Sequence, residues 1–215
     1  MPHFFLELVS RTDEARRAFE SHPTVLDAVA NGMTLDRYRS LLSELYSLVL
    51  HFNPGCAAAA RRMSDRYPEV RSFLYEHMHE ESGHEAWVLD DLEAIGAGRD
   101  AVLQWAPSPH VLAINGYNYW AADRRHPCSI LGMIYVLEVI ASVYGGPFSE
   151  AMRESLLLQG DRGVSFISSH ASLDAEHMSQ LREVLNRVED PDAQAAVIES
   201  VLFNFHHVTN VFGSV

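Results

Sequence analysis

Apolar residues recur along this chain at helical spacing, and the pattern is interrupted at proline, glycine or a polar capping residue. The first helix is predicted from about Phe4 to Glu20, ending before Ser21-His22-Pro23, because a residue that precedes proline is driven out of the helical region. Thr34 then caps a long helix that should end near Asn53-Pro54-Gly55. No alternating strand pattern competes, so the sequence predicts an all-α antiparallel helix bundle.

The same signals predict the remaining helices. A short helix separates the first two, and the total should be about seven to eight helices in a single domain that spans residues 1–215. The later helices are predicted at about Pro68 to Ile95, Pro109 to Ala122, Ser129 to Tyr144, Pro147 to Leu158 and Arg162 to Val188, with the last one starting at Pro191.

Composition narrows the class of protein. Hydrophobic residues make up 47% and charged residues 21%, and the formal charge of −13 argues against nucleic acid or an anionic membrane as a partner. Cys56 and Cys128 match no zinc or redox spacing, and residues 1–20 lack the features of a signal peptide, so we expect a cytoplasmic protein. The apolar stretch from Cys128 to Phe148 contains an acid and a Gly-Gly-Pro break, which favours a buried helix over a membrane span.

Two segments carry the same arrangement of metal-binding residue types. His77, Glu81 and His84 follow one another at i, i+4 and i+7, and His170, Asp174 and His177 repeat the pattern. On a single continuous helix this spacing places all three side chains on one face. A lone histidine is more often a surface or core residue than a ligand, but a pattern that occurs twice predicts two groups of ligands.

Two further acids are isolated among apolar residues. Glu44 is the only acid between Asp36 and Asp65, and Glu138 is the only charged residue of its predicted helix. A buried carboxylate is normally paired, protonated or bound to metal, and each of these readings is open for both residues. Together with the two His-acid-His segments, they match the way in which helix bundles hold two iron or two manganese ions.

At these residues the sequence resembles the heme-oxygenase-like di-iron oxidases, a superfamily whose helical fold is shared with heme oxygenase, thiaminase II (TenA) and the pyrroloquinoline quinone synthesis oxidase (PqqC). The resemblance covers most of the chain. It implies that His170, Asp174 and His177 form the C-terminal ligand element, that Glu138 is the mid-chain glutamate and that His84 is the histidine of an earlier helix. Two Fe²⁺ ions are then the expected cofactor, with manganese as an alternative at one position.

The resemblance leaves part of the ligand set open. Many members have a glutamate where this chain has His77, whereas others resemble the Glu-x2-His arrangement that Glu81 and His84 satisfy. Glu44 resembles an additional carboxylate that some members contribute from the first core helix. Heme as substrate is disfavoured, because residues 4–21 lack the histidine that ligates heme in heme oxygenase. Thiaminase activity is disfavoured as well, because the only nearby cysteine is Cys128.

The resulting hypothesis is a non-heme di-iron oxidase that uses O2 and an external reductant to oxidise a small amine, amino acid or carboxylic acid, through C–C cleavage, N-oxygenation or desaturation. We expect a homodimer, since bundles of this family commonly dimerise. The rival hypotheses are a non-catalytic metal-binding or partner-binding module and a thiaminase-like or heme-oxygenase-like enzyme without a di-iron site. By position and residue type, the candidates for anchoring a carboxylate-bearing substrate are Tyr117, Asn118, Arg124 and Arg125.

Overall fold

Helices account for all the regular secondary structure in the part of the chain that the structure describes. The structure is a computed structural model, and it describes residues 3–215 apart from the side chains of residues 172–176. The α-helices are α1 (Phe4–Glu20), α2 (Pro23–Asn31), α3 (Leu35–Arg62), α4 (Pro68–Glu80), α5 (His84–Ala94), α6 (Arg99–Leu103), α7 (Pro109–Trp120), α8 (Ile130–Ile140), α9 (Gly146–Leu156), α10 (Ser165–Leu185) and α11 (Pro191–Ser214).

The all-α prediction is confirmed, and the structure has more helices than the expected seven or eight. Helix α1 has the predicted bounds, and its buried residues Phe4, Leu8, Thr12 and Phe19 lie along one stripe that faces the core. The additional segments include two π-helical segments, Ala121–Arg125 and Ala141–Gly145, and a 3₁₀ turn at Pro127–Ser129.

The sequence predicts that helix α3 ends near Pro54. In the structure it continues to Arg62. Proline in a helix interior removes one hydrogen bond and costs about 3 kcal/mol. Phe52, Cys56 and Ala59 are buried on the two sides of this proline. Their packing in the core keeps the chain helical past it.

The predicted helix from Pro68 to Ile95 is interrupted, so that α4 ends at Glu80 and α5 begins at His84. Gly83, between them, has a φ of 94°, a conformation that a residue with a Cβ rarely adopts. Two of the predicted ligands, Glu81 and His84, therefore leave the axis of the helix that carries His77.

Three helices dominate the interior. Helix α11 packs along α8, α1 and α7, helix α10 lies against α8 and the π-helical segment Ala141–Gly145, and α3 lies against α4, α5 and α7. The helical run Pro127–Leu156 is long and apolar enough to cross a membrane, but 67% of its most apolar window is buried inside the bundle. Such burial is typical of the core helix of a soluble protein. The predicted break at Gly145-Gly146-Pro147 is absent: the π-helical segment Ala141–Gly145 continues directly into α9, of which Pro147 is the second residue.

Candidate metal centre

Three buried side chains from three different helices converge in the middle of the bundle. His77 of α4 and His177 of α10 both approach Glu138 of α8. The distances to Glu138 Oε1 are 3.5 Å from His77 Nε2 and 3.3 Å from His177 Nδ1. We call these three residues the inner cluster; one ligand atom from each lies within 4.8 Å of the other two, which suits a shared metal ion.

A second group, which we call the outer cluster, consists of Glu81, His84 and His170. Glu81 Oε2 lies 2.8 Å from His84 Nδ1 and 3.4 Å from His170 Nε2, and these two ring nitrogens lie 3.2 Å apart. The ring of His84 stacks on Trp87 with a centroid separation of 4.0 Å. Two imidazoles and one carboxylate therefore present ligand atoms to a second common point.

Glu81 lies between the two clusters. Its Oε2 belongs to the outer cluster, while its Oε1 lies 4.0 Å from Nδ1 of His177 in the inner cluster. The α4–α5 segment thus supplies His77 to the inner cluster and Glu81 with His84 to the outer one. Helix α10, which runs in the opposite direction, supplies His177 to the inner cluster and His170 to the outer one. A carboxylate in this position is suited to bridge two metal ions.

The backbone orients His170 toward the outer cluster. Its Nδ1 donates a 2.7 Å hydrogen bond to the carbonyl oxygen of Phe166, one turn earlier in α10. In the neutral imidazole this leaves Nε2 without a proton and with its lone pair directed at Glu81 and His84. Metal-binding histidines usually donate their second ring N–H to a carbonyl or carboxylate in this way, which fixes the tautomer and the orientation of the ring.

Several buried polar atoms of the inner cluster have no hydrogen-bond partner among the described residues. They are both ring nitrogens of His77, Oε2 of Glu138 and Nδ1 of His177; His77 Nε2 and His177 Nδ1 lie within ion-pair distance of Glu138 Oε1 but do not have the geometry of a hydrogen bond to it. A buried polar atom without a partner costs about 1–3 kcal/mol, and such atoms in one spot need an explanation. Nitrogen and carboxylate donors without thiolate suit iron or manganese, so the residues fit a metal ion at this position.

The electrostatics of the two clusters are coupled. Glu138 is the main cause that raises the pKa of His177 to about 9, against the opposing effect of burial. Burial lowers the pKa of His77, and the nearby carboxylates Glu138 and Glu81 only partly offset it. For Glu81, burial acts to raise the pKa, but the imidazoles of His170 and His84, which contact its carboxylate, outweigh this effect and hold the pKa well below its usual range. Glu81 is therefore an anion at neutral pH, as a bridging ligand needs to be.

An apolar cavity of about 170 Å³ adjoins both clusters. Glu81, Glu138 and His170 form part of its wall, and the rest is almost entirely hydrophobic side chains from α1, α2, α3, α8, α9, α10 and α11. The π-helical segment Ala141–Gly145 also lines it. A small molecule in this cavity would lie directly beside the metal-binding residues.

Among the eight predicted metal ligands, the described side chains of six come together in the two clusters. Both His77 and Glu81, between which the sequence left the choice open, are included. Asp174 lies between His170 and His177 in the sequence, but its side chain is outside the described residues. The expectation for Glu44 is corrected: its carboxylate accepts hydrogen bonds from Trp105 Nε1 and the Ser108 N–H, all at 3.0 Å, and belongs to neither cluster.

The structure places none of the four predicted substrate-anchoring residues in the wall of the cavity. Asn118 is buried against Asn204 of α11, and the ring of Tyr117 stacks on Phe203. Arg125 pairs with Asp192 and Glu199, while Arg124 is exposed beside Asp123. These side chains stabilise packing between helices or lie at the surface.

Asp91 is a supporting residue that the sequence did not single out. Its carboxylate accepts hydrogen bonds from the backbone N–H groups of Gly163, Ser165 and Phe166 and from the Ser165 hydroxyl, at 2.8–3.0 Å. These groups form the N-terminus of α10, the helix that carries His170 and His177. Asp91 lies among other acids of α5, and nothing in its local sequence distinguishes it from them.

Fold and site together define a heme-oxygenase-like helical bundle with a centre of histidine and carboxylate side chains. The chain belongs to the family of iron-containing redox enzymes, whose model matches residues 39–204. No curated protein matches the chain by sequence.

Solved structures confirm the fold. A domain of unknown function with a heme oxygenase-like fold from Shewanella denitrificans OS217 has a TM-score of 0.84 at 23% identity, covering 95% of this chain and 88% of that one. A TenA homologue from Pseudomonas syringae has a TM-score of 0.84 at 13% identity, covering 99% and 92%. Heme oxygenase-1 from the cyanobacterium Synechocystis, solved with heme, has a TM-score of 0.79 at 14% identity, covering 98% and 91%. At these identities the likeness concerns the fold alone.

Proposed function

We propose that this protein is an oxidase that holds two non-heme iron ions and uses O2 to oxidise a small substrate. The observation that carries the proposal is the pair of adjacent three-residue clusters joined by Glu81. One cluster alone would suit a mononuclear or structural site. Two clusters that share a carboxylate suit a dinuclear centre, and membership of an iron-containing redox family supports iron as the metal.

Each residue would have a defined task in this centre. His77, His177 and Glu138 would hold one ion, and His84 and His170 the other, with Glu81 between them. Asp174 is proposed from the sequence as a further ligand. The carboxylates offset the positive charge that the site takes up, and the Phe166 carbonyl holds His170 in its binding orientation.

The iron ions would supply the electrons and the coordination positions needed to activate O2. The surrounding chain would bind the substrate beside them and exclude water. The apolar wall of the cavity serves both purposes, because it desolvates a hydrophobic substrate and leaves few polar groups to retain water. We further propose that an external reductant acts on the protein and that it forms a homodimer in the cytoplasm.

The alternative functions of related folds fit this chain less well. Burial raises the pKa of the Cys128 thiol to about 12, and Cys128 does not line the cavity, so it is a poor nucleophile for a thiaminase-like reaction. Helix α1 contains no histidine that could ligate heme iron. A non-catalytic metal-binding module remains the rival that experiment has to separate from an oxidase.

The test is to measure iron content and then to mix anaerobically Fe²⁺-loaded protein with O2 while recording visible absorption. We expect about two irons per chain and a transient band in the wild type. His77→Ala and His84→Ala, one from each cluster, should each reduce the iron content and abolish the band, and Asp174→Ala tests the ligand proposed from sequence alone. The matched control is His207→Ala, because His207 is a partly buried histidine of α11 that contacts His110 of α7 and lies outside both clusters.

Different results lead to different conclusions. Two bound irons that do not react with O2 would favour the metal-binding module. Unchanged iron content in both His77→Ala and His84→Ala would contradict the dinuclear site itself.

A further inference from the structure

Apart from His170, the described residues that line the cavity beside the two clusters include no side chain that can carry a positive charge. The chain has no lysine, so its 16 cationic residues other than histidine are all arginines. None of these arginines is among the residues that line the cavity, and the few residues outside the described part of the chain contain no arginine. A carboxylate or phosphate group deep in this cavity would have no counter-ion.

The polar groups that do face the cavity are concentrated at one end. Glu81, Glu138 and His170 are members of the two clusters, and Phe166 contacts His170 with a ring separation of 4.2 Å. Among the described residues, one further titratable group lies in the wall, the hydroxyl of Tyr144, and burial together with the nearby carboxylate of Glu20 raises its pKa, so that it stays neutral. The cavity thus has a polar end beside the two clusters, which we call the metal end, and the rest of its wall is hydrophobic.

Another part of the cavity wall is built from aromatic side chains that contact one another. Phe19 lies 5.5 Å from Tyr144 and 5.7 Å from Phe212, and Phe212 lies 6.4 Å from Phe148, measured between ring centroids. None of the ring contacts seen among the described residues joins these four rings to the clustered histidines. A charged group placed here would be surrounded by hydrocarbon, and such burial without a partner is strongly unfavourable.

The size of the cavity limits what it can hold. An apolar cavity of about 150 Å³ accommodates a benzene molecule, so about 170 Å³ suits a hydrocarbon group of roughly six to eight non-hydrogen atoms.

From these observations we infer that the substrate has a hydrocarbon end of this size, which fills the cavity, and that any polar group it carries lies at the other end, beside Glu81, Glu138 and His170. This inference narrows the substrate class of the proposed oxidase. It rests on the proposed function only for the reaction that the bound molecule undergoes; the binding itself does not depend on that proposal. An amino acid is excluded unless its charged groups all lie at the metal end.

The experiment measures binding by isothermal titration calorimetry to anaerobic Fe²⁺-loaded protein and to metal-free protein, without turnover. The probes are 1-hexanol and 6-amino-1-hexanol, which differ by a positive charge at the end far from the hydroxyl. We expect 1-hexanol to bind with one molecule per chain and 6-amino-1-hexanol at least tenfold more weakly. Equal affinity for both, or no binding of 1-hexanol in either state, would overturn the inference.

Substitutions locate the binding site. Ala141→Phe places a ring in the cavity and should lower the affinity for 1-hexanol at least tenfold. Val143→Phe is the matched control, because Val143 lies two residues later in the same π-helical segment, is 50% exposed and does not line the cavity. If circular dichroism shows that Ala141→Phe does not fold, Val49→Phe on α3 is used as the cavity variant instead, because Val49 lines the same cavity. Unchanged affinity in the folded cavity variant would place 1-hexanol elsewhere and overturn the inference.

The two proposals fail in different ways. Selective binding of 1-hexanol by a protein that does not react with O2 would remove the oxidase function and leave the cavity assignment intact. Reaction with O2 without binding of 1-hexanol would support the oxidase function and overturn the inference about the cavity.

Discussion

Two buried glutamates show how differently the same residue type can be used. Glu44 and Glu81 are both held by hydrogen bonds, but the partners of Glu44 are an indole and a backbone N–H, whereas those of Glu81 are two imidazoles. The first set fixes the start of α7. The second set could be replaced by a metal ion without moving the side chains far.

Alanine substitutions should separate these two roles. Glu81→Ala removes a group that contacts both clusters, so the iron content should fall below one ion per chain. Glu44→Ala should leave iron content unchanged and lower the free energy of unfolding by about 1–3 kcal/mol, because Trp105 Nε1 and the Ser108 N–H lose their acceptor. Metal analysis and denaturant titration of both variants give the comparison. Loss of iron in Glu44→Ala would restore it as a ligand.

The two thiols should be unreactive in the folded protein. Burial raises the pKa of Cys128 to about 12 and raises that of Cys56 further, so both remain protonated at pH 8. We expect a disulfide-exchange reagent at pH 8 to label neither thiol in native protein and both after denaturation in guanidinium chloride. Rapid labelling of native protein would contradict the burial of these residues.

The identity of most clustered residues could be predicted from the sequence, because residue type and spacing carry that signal. Glu44 could not be assigned, since isolation among apolar residues shows only that a carboxylate needs a partner. The partner here is Trp105, about sixty residues away. The four proposed substrate anchors lie away from the cavity for a similar reason: the sequence shows charge and aromaticity but not which face of a helix borders a cavity.

At the scale of the helices, the helix ends that are marked by Pro or a polar cap were predicted well. The continuation of α3 through Pro54 and the interruption at Gly83 were not predicted. Helices α2, α4, α7 and α11 each have proline in the first turn, where its missing N–H costs nothing. Pro54 has the same local signal, but burial of its neighbours decides the outcome. The interruption at Gly83 was missed because His77, Glu81 and His84 have the spacing of one continuous helix, while residues 79–85 have no apolar side chain that would show where the helix stops.

Helix α10 depends on Asp91 for its first turn. Asp91→Ala would leave the N–H groups of Gly163, Ser165 and Phe166 without their acceptor, and we expect a loss of about 2–3 kcal/mol in unfolding free energy. The variant should also bind iron more weakly, because α10 carries His170 and His177. The control is Asp90→Ala, since Asp90 is the exposed neighbour on the same helix. Equal stability of the two variants would show that α10 does not need this contact.

At the scale of the whole molecule, the packing of α8 against α11 sets the position of Glu138. A Cβ added at Gly132 would lie 2.6 Å from the carbonyl oxygen of Val197 and 2.7 Å from Cβ of Ser200. The two helices approach this closely only because residue 132 has no side chain. The carboxylate of Glu138 is carried on the same helix, less than two turns further along.

Substitution of two helical glycines should therefore have opposite effects. Gly132→Ala forces α8 and α11 apart and should cost about 1–3 kcal/mol of unfolding free energy. Gly116→Ala in α7 has nothing within 4 Å of the added Cβ and should stabilise the protein by about 0.4–1 kcal/mol. Thermal unfolding of the metal-free variants measures both effects. A stabilised Gly132→Ala protein would contradict the close approach of the two helices.

Because the helix is interrupted between α4 and α5, the orientation of His84 relative to His77 depends on the number of residues between them. His77 serves one ion position and His84 the other, and the turn at Gly83 sets the rotation between them. One residue more or fewer would turn every later side chain of this segment by about 100° about the helix axis. Residues of this segment other than the ligands and Gly83 can be exchanged without moving the ligands, whereas an insertion or deletion displaces them, so proteins that keep this chemistry should keep the length of the segment.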